Sequence, residues 1–426
     1  MLSPSLSNNE KRVVFLSSLG SVLEFYDFII FIFFANTLSQ LFFPQKNSIT
    51  GLLEAFAVFA IGYLCRPLGG ILFSHFGDKY GRKKPFVSTL MLMALPTFLI
   101  GLLPTNQTLG IWAAVLLTLL RVLQGLSLGG ELSGSIVFAT EHVNASARGL
   151  ASGCVFFGIN FGMALGSAVY ALLIFVFPAQ SFSLFGWRIA FILGGILGFV
   201  SYWLRKSMAE TPAFIVMQKQ LVSRTFPLYS LFQHHWRTVI QGIALASLQG
   251  TIVVPFLYLP TYLTAILHYP KNTINLLNTA NIILLSICAI GVGYLSDIIG
   301  RRLILLISSI GLIIFSYGLF YLLSLQHIQY VVLVMIIFAV QSACITGACA
   351  CTVVELFPTA VRYSGMAFSF NIGMAVFGGL APLFSTYLIA KTHNVIAPSY
   401  YLIFCGIIAL IAIIPLKDKH RQALTT

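Results

Sequence analysis

A chain of 426 residues that is 58% hydrophobic, 14% aromatic and only 8% charged has too little charge to cover a water-soluble surface. Its mean hydropathy of +0.94 leaves lipid as the solvent for most of that surface. The net charge of +13 raises nucleic acid as a partner, and the placement of the charge argues against it, as set out below.

Runs of about 20 apolar residues read as membrane helices. There are twelve: 13–43, 51–74, 86–104, 109–140, 149–177, 186–207, 236–267, 272–295, 303–325, 328–355, 363–390 and 397–416. Runs so long and so evenly apolar do not suit barrel strands, so the fold class is an all-α polytopic membrane protein of twelve transmembrane helices. No small-residue cleavage site follows the first run, which therefore stays as span 1. All seven cysteines fall inside spans and read as small packing residues, with no disulfide and no metal site.

Span 1 carries Glu24 and Asp27, three residues apart and so on adjoining faces of one helix, with Phe25, Tyr26 and Phe28 beside them. Between spans 2 and 3 lies "GDKYGRKK", Gly77 to Lys84, whose Asp78 and Arg82 recur as Asp297 and Arg301 in "SDIIGRR" between spans 8 and 9, each 219 residues later. Span 4 holds Arg121, Gln124 and Glu131, the last two seven residues apart and stacked on one face. Glu141 stands seven residues before Arg148, and Glu355 seven before Arg362, an offset of 214 residues. Two motifs recurring in the same order indicate two six-span halves related by an axis along the membrane normal. The boundaries are an N-terminal tail 1–12, a first half 13–207, a polar linker 208–235, a second half 236–417 and a tail 418–426.

With the N-terminus in the cytoplasm, eighteen of the twenty-four Lys and Arg fall in inside segments, Arg205 among them, and four outside, at Lys46, Arg188, Lys271 and Lys391. This is the positive-inside pattern and puts both termini in the cytoplasm. Arg66 and Arg121 remain within spans, against the three acids Glu24, Asp27 and Glu131. One negative charge is left over, which a proton or a cationic ligand group would neutralise. None of the eight His is near the middle of a span, so a coupling proton would sit on a carboxylate. "GLSLG", Gly125 to Gly129, has the letters of a nucleophile elbow but lies in a span with no strand before it, and reads as helix packing. Gly-Lys never occurs, so there is no phosphate-binding loop for ATP.

"GDKYGRKK", its echo "SDIIGRR" and "RVLQGLSLGGE" (Arg121 to Glu131) together resemble the major facilitator superfamily. "EFYDF" (Glu24 to Phe28), "RPLGG" (Arg66 to Gly70), "GWR" (Gly186 to Arg188), "ETPAF" (Glu210 to Phe214), "ELFPTAVRYSG" (Glu355 to Gly365) and "FNI" (Phe370 to Ile372) are similar to its metabolite:proton symporters, the proline/betaine transporters in particular. The resemblance runs from about Glu24 to Lys417. It departs from the antiporter signature in span 5, where Met163 stands in place of the proline after Gly162.

The resemblance implies a proton-coupled importer of a small organic solute, embedded in the inner membrane, acting as a monomer by alternating access, with the proton gradient in place of a cofactor. Asp78, Arg82, Glu141, Arg148, Asp297, Arg301, Glu355 and Arg362 would form latches at the cytoplasmic ends of the halves. Glu24, Tyr26, Asp27, Arg121, Gln124 and Glu131 would serve the solute and the proton: Arg121 for the carboxylate of a zwitterion such as proline or betaine, Glu24 or Asp27 for its ammonium. Proton symport of a di- or tricarboxylate is the alternative; an exporter, a non-transporting sensor and an enzyme have less in their favour. The tail after Pro415 has no heptad pattern and suggests anchoring at lipid headgroups through Lys417, Lys419 and Arg421, with no osmotic activation.

Overall fold

The structure, a computed structural model, describes residues 6–43, 48–178, 181–206, 209–219, 227–420 and 422. Lys46, Arg224 and Arg421, three of the cations used above to orient the chain, lie outside the described residues.

The first half comprises α1 (Asn8–Phe33), α2 (Ser48–Leu64, continuing as Arg66–Tyr80), α3 (Lys83–Leu102), α4 (Ile111–His142), α5 (Arg148–Val176) and α6 (Trp187–Lys206). Helix α1 begins ahead of its apolar run because Ser7 and Glu10 form a capping box: Ser7 N–H donates to Glu10 Oε2 (2.7 Å) and Glu10 N–H to Ser7 Oγ (3.4 Å). The second half comprises α7 (Pro227–Thr251, extended by π-helical turns to Ile266), α8 (Lys271–Ile299), α9 (Arg301–Ser324) and α10 (Ile328–Leu356). It closes with α11 (Arg362–Gly373, a π-helical turn Met374–Gly379, then Ala381–Thr392) and α12 (Pro398–Ile413). Among the described residues eleven helices are long and apolar enough to cross a membrane. The twelfth, α12, has 16 residues, about 24 Å of rise, and needs its flanking turns to span. The stretch 208–235 includes a short helix, Pro212–Lys219, and its end already belongs to α7, which bends at His235.

The halves repeat each other in backbone detail. The 3₁₀ turns Ala145–Ala147 and Thr359–Val361 lead into α5 and α11, and positive φ at Gly81 (115°) and Gly300 (94°) precedes α3 and α9. A side chain other than glycine is strained in that region, so both loops turn sharply at the same place. The halves meet along α5 against α8 and α2 against α11, and small residues allow the close approach. A Cβ on Gly153 would stand 2.6 Å from Ala289 O, and one on Gly77 would run into the Tyr363 ring. Large apolar residues such as Leu68, Phe76, Phe175 and Ile314 are exposed on the outside of the bundle, the surface that lipid covers.

Helical regularity fails in α7 and α11. Pro255 and Pro260 each lack an N–H, and α7 answers with two π-helical segments, Val254–Tyr258 and Tyr262–Ile266. In α11 the π-helical turn runs into Pro382. Both irregular stretches contribute to the wall of a central cleft.

Candidate functional site

At one end of the bundle, charge is organised into two related clusters. In the first, Asp78 at the end of α2 accepts hydrogen bonds from the N–H groups of Tyr363 (3.3 Å) and Ser364 (2.7 Å), in the first turn of α11 in the other half. A carboxylate is favoured there because the first N–H groups of a helix have no partners of their own. Arg82 holds Asp78 at 2.9 Å, donates to Gly77 O (2.9 Å) and reaches across to Thr359 O (2.7 Å). Glu141 stands 3.5 Å from Arg82 Nε and accepts from Arg362 of the other half (2.9 Å) and from the Thr211 hydroxyl (2.8 Å).

The second cluster repeats the first. Asp297 accepts from the N–H groups of Gly149 and Leu150, both at 2.8 Å, in the first turn of α5, and pairs with Arg301 at 3.0 Å. Glu355 pairs with Arg301 (3.0 Å) and with Arg148 of the other half (3.4 Å). Glu141/Arg148 and Glu355/Arg362, neighbours in the sequence, therefore exchange partners: each glutamate takes the arginine of the opposite half. Asp78, Arg82, Glu141, Arg148, Asp297, Glu355 and Arg362 thus each bond across the halves, and Arg301 holds Asp297 and Glu355 within its own half; all are buried, where charge-assisted hydrogen bonds are strongest.

Each cluster also has a cap; the first comes from the "ETPAF" motif, and the second, Asp418, was not singled out in the sequence. Glu210, just after α6, accepts from the N–H groups of Arg82 (3.0 Å) and Lys83 (3.2 Å) beside Gly81. Asp418, just after α12, accepts from Arg302 N–H (3.1 Å) beside Gly300. The tail continues onto the second cluster, with Lys419 Nζ 3.4 Å from Glu355 O and Gln422 O accepting from Arg148 at 2.8 Å. Lys419 thus meets protein where lipid headgroups were expected, and Arg421 lies outside the described residues.

The intramembrane residues fall into three groups. Glu131 pairs with Arg205 and accepts from the hydroxyls of Thr89 (2.6 Å) and Ser135 (3.2 Å). Arg205, placed by the sequence among the cytoplasmic cations, is buried in α6, donates to Leu16 O and Ser17 O and passes over Gly20, where a Cβ would run into its guanidinium. The embedded count is therefore three acids against three arginines, and the expected excess of one negative charge is corrected.

The second group is Arg121, stacked on Phe28, Phe31 and Phe59 at 4.6, 4.4 and 5.4 Å. It donates to Gln124 Oε1 (2.7 Å), whose amide donates to Thr97 Oγ1 (2.7 Å). Third, Glu24 and Asp27 are 2% and 1% exposed, and among the described residues neither carboxylate accepts a hydrogen bond. Asp27 fits a notch formed by Gly194 and Gly198 of α6, beside Thr97, which gives its own proton to Met93 O. Tyr26 donates its hydroxyl to Ala190 O (3.0 Å), which fixes it in the wall between α1 and α6.

Between the halves lies a cleft with about 540 Å³ of empty space. Its polar lining is Tyr63, Arg66, Asn160 and Gln249; Phe25, Phe156, Phe256 and Phe370 supply further rings, and among the described residues no Asp or Glu faces it. None of Glu24, Asp27, Arg121, Gln124 and Glu131 reaches this lining. Arg66 donates to Asn371 Oδ1 (3.4 Å) and packs on Tyr63 (5.3 Å), while its Nη2 has no partner. Arg66 was visible in the sequence as an intramembrane cation; Asn160 and Gln249, single amides in apolar helices, gave little signal.

Two pseudo-symmetric six-helix halves, linked by ion pairs at one end and parted by a polar cleft midway, define a multi-pass membrane protein of the secondary-transporter architecture. The chain belongs to the Major Facilitator Superfamily, whose sequence profile matches residues 17–270 and 239–423. It is similar to the glycine betaine/proline/ectoine/pipecolic acid transporter OusA of Dickeya dadantii, 32% identical over 424 residues, which cover 97% of this chain and 84% of that one. It is also 33% identical to the proline/betaine transporter of Escherichia coli K12, across 97% of this chain and 85% of the relative. Among solved structures, the proton:xylose symporter XylE bound to 6-bromo-6-deoxy-D-glucose superposes with a TM-score of 0.75 at 16% identity, covering 97% of both chains, a likeness of fold.

Proposed function

We propose that this chain is a secondary active transporter of the inner membrane that imports a small zwitterionic solute together with protons, by alternating access to the central cleft. The observation that carries the reading is the pair of crossed clusters: the ion pairs Glu141–Arg362 and Glu355–Arg148, with Asp78 and Asp297 on the helix starts of the opposite half, join the halves at one end, where charged groups can break and re-form each cycle without fusing the halves. With that end and both termini in the cytoplasm, the arrangement is a closed inner gate. The relatives' names supply the solute class, proline and betaines.

The proton gradient takes the place of a cofactor. Glu24 and Asp27 suit the coupling role, because a carboxylate buried without a partner is stable in lipid only while it holds a proton. Glu131, already paired with Arg205, fits a positioning role beside them. The mechanism is that of a monomer, since one chain carries both its own cleft and its own gate. One observation favours the second reading, symport of a di- or tricarboxylate: the cleft offers a cation and no acid.

The test is uptake of labelled L-proline, glycine betaine and succinate into proteoliposomes, with and without an inward proton gradient. Gradient-dependent accumulation of either zwitterion is the expected result. Accumulation of succinate alone would transfer the function to the second reading, and uptake indifferent to the gradient would remove the proton.

A further inference from the structure

Three buried polar side chains that line one cavity each have an atom without a hydrogen-bond partner among the described residues. Arg66, 1% exposed, has a free Nη2; Asn160, 3% exposed, a free Nδ2; and Gln249, 5% exposed, a free Oε1. All three line the central cleft, with Arg66 on α2, Asn160 on α5 and Gln249 on α7, so the two halves share them. A buried N–H or carbonyl without a partner is costly, and three at one cavity mark a place that a polar ligand completes. Two of the three are donors, and one is a guanidinium whose fork matches a carboxylate.

The cleft's other end is defined by what lines it. The rings of Phe25, Phe156 and Phe256 face the cavity and no carboxylate does. A cation there meets π-faces, which hold it by the ring quadrupole, and Gln249 Oε1, a neutral acceptor. Such surroundings attract a cation weakly when it comes alone, beside an arginine that repels it.

We propose that the solute is anchored by its carboxylate to Arg66 and Asn160, and that its cationic end is recognised by Phe25, Phe156, Phe256 and Gln249 without an acidic partner. This deepens the transport reading above and rests on it. The site then requires a carboxylate and merely accepts a cation: proline and glycine betaine bind, a branched carboxylate without nitrogen binds more weakly at the same place, and a cation without carboxylate does not compete.

The test is equilibrium binding of labelled L-proline to the full chain in nanodiscs, with unlabelled glycine betaine, isobutyrate and choline as competitors. Betaine and isobutyrate are expected to displace the label and choline to leave it. Arg66→Gln should weaken proline binding at least ten-fold. Because Arg66 also bonds Asn371, Asn160→Ala, which leaves that contact in place, provides the second variant and should cost several-fold. Choline competing as well as betaine, or Arg66→Gln and Asn160→Ala both binding within two-fold of wild type, overturns the proposal. So does a collapse of affinity in Asp27→Asn with Arg66→Gln unaffected. Binding of succinate but not of proline, abolished by Arg66→Gln, keeps the carboxylate anchor while removing the zwitterion from the proposed function.

Discussion

The latch end and the middle of the bundle bury the same group, a carboxylate, and treat it in opposite ways. Asp78, Glu141, Asp297 and Glu355 each have at least one arginine and a further contact. Glu24 and Asp27, as deeply buried, accept no hydrogen bond among the described residues. The first arrangement answers the cost of a charge out of water with a counter-charge; the second, on the function proposed above, answers it with a proton. A counter-charge can be exchanged between halves, which suits a gate. A proton can leave to the other side, which suits coupling. Glu131 stands between the two kinds, in the middle of the bundle yet paired with Arg205.

Glu131 is therefore where the contrast breaks first. Arg205→Gln leaves an uncompensated carboxylate in the apolar interior and should lower stability by about 3–5 kcal/mol, read as thermal unfolding in nanodiscs. Adding Glu131→Gln should restore most of the loss, since the pair is then absent as a unit. If Arg205→Gln unfolds like wild type, Glu131 is held neutral and belongs with Glu24 and Asp27.

The next largest effect belongs to the gate. Asp78→Asn removes the charge that the first turn of α11 and Arg82 both use, a loss of about 1–3 kcal/mol from the closed state. Transport should slow by roughly ten-fold or more, with solute affinity shifting only a few-fold. A spin-label pair across the latch end should report wider separations in the variant. An affinity collapse at preserved rate would place Asp78 outside the gate.

Neutralising the unpaired acids should behave in the reverse sense. Glu24→Gln replaces a carboxyl by an amide of similar shape and breaks no ion pair or hydrogen bond among the described residues, so stability should move by less than about 1 kcal/mol. Uphill uptake should vanish while exchange of labelled for unlabelled solute persists. A variant that still concentrates solute against its gradient would leave the coupling proton to Asp27 or Glu131.

Much of this contrast is legible in the sequence. Lipid forces long apolar runs, so the spans stood out, and repetition marked Asp78, Arg82 and their echoes, which the structure places where the halves meet. The exchange of Arg148 and Arg362 between Glu355 and Glu141 was not legible, because spacing along a helix says nothing about which half supplies the partner. Arg205 was misplaced for a related reason: near a helix end, an arginine that snorkels to water and one that bends back to Glu131 have the same sequence. Asn160 and Gln249 escaped because a lone amide in an apolar helix usually packs against its neighbours, and only the cleft distinguishes them.

The smallest expected effect compares the two caps. Glu210 serves two N–H groups at the start of α3, and Asp418 serves one at the start of α9, so Glu210→Ala should slow transport more than Asp418→Ala. Removing a helix cap costs about 1 kcal/mol, which places the Asp418→Ala rate within roughly five-fold of wild type. Burial pushes the Asp418 carboxyl up, but the N–H groups of His420 and Arg302 outweigh it and hold the group below the ordinary aspartate value. For an acid with a depressed folded value, the contact is present above the unfolded value and lost only as pH falls through the folded one. The tail should accordingly stay attached from about pH 5 to about pH 8, and the ratio of Asp418→Ala to wild-type initial rates should be flat across that window. A ratio that approaches one toward pH 5 would show the cap already released there, and equal rates for wild type and both variants throughout would show that neither cap loads the gate.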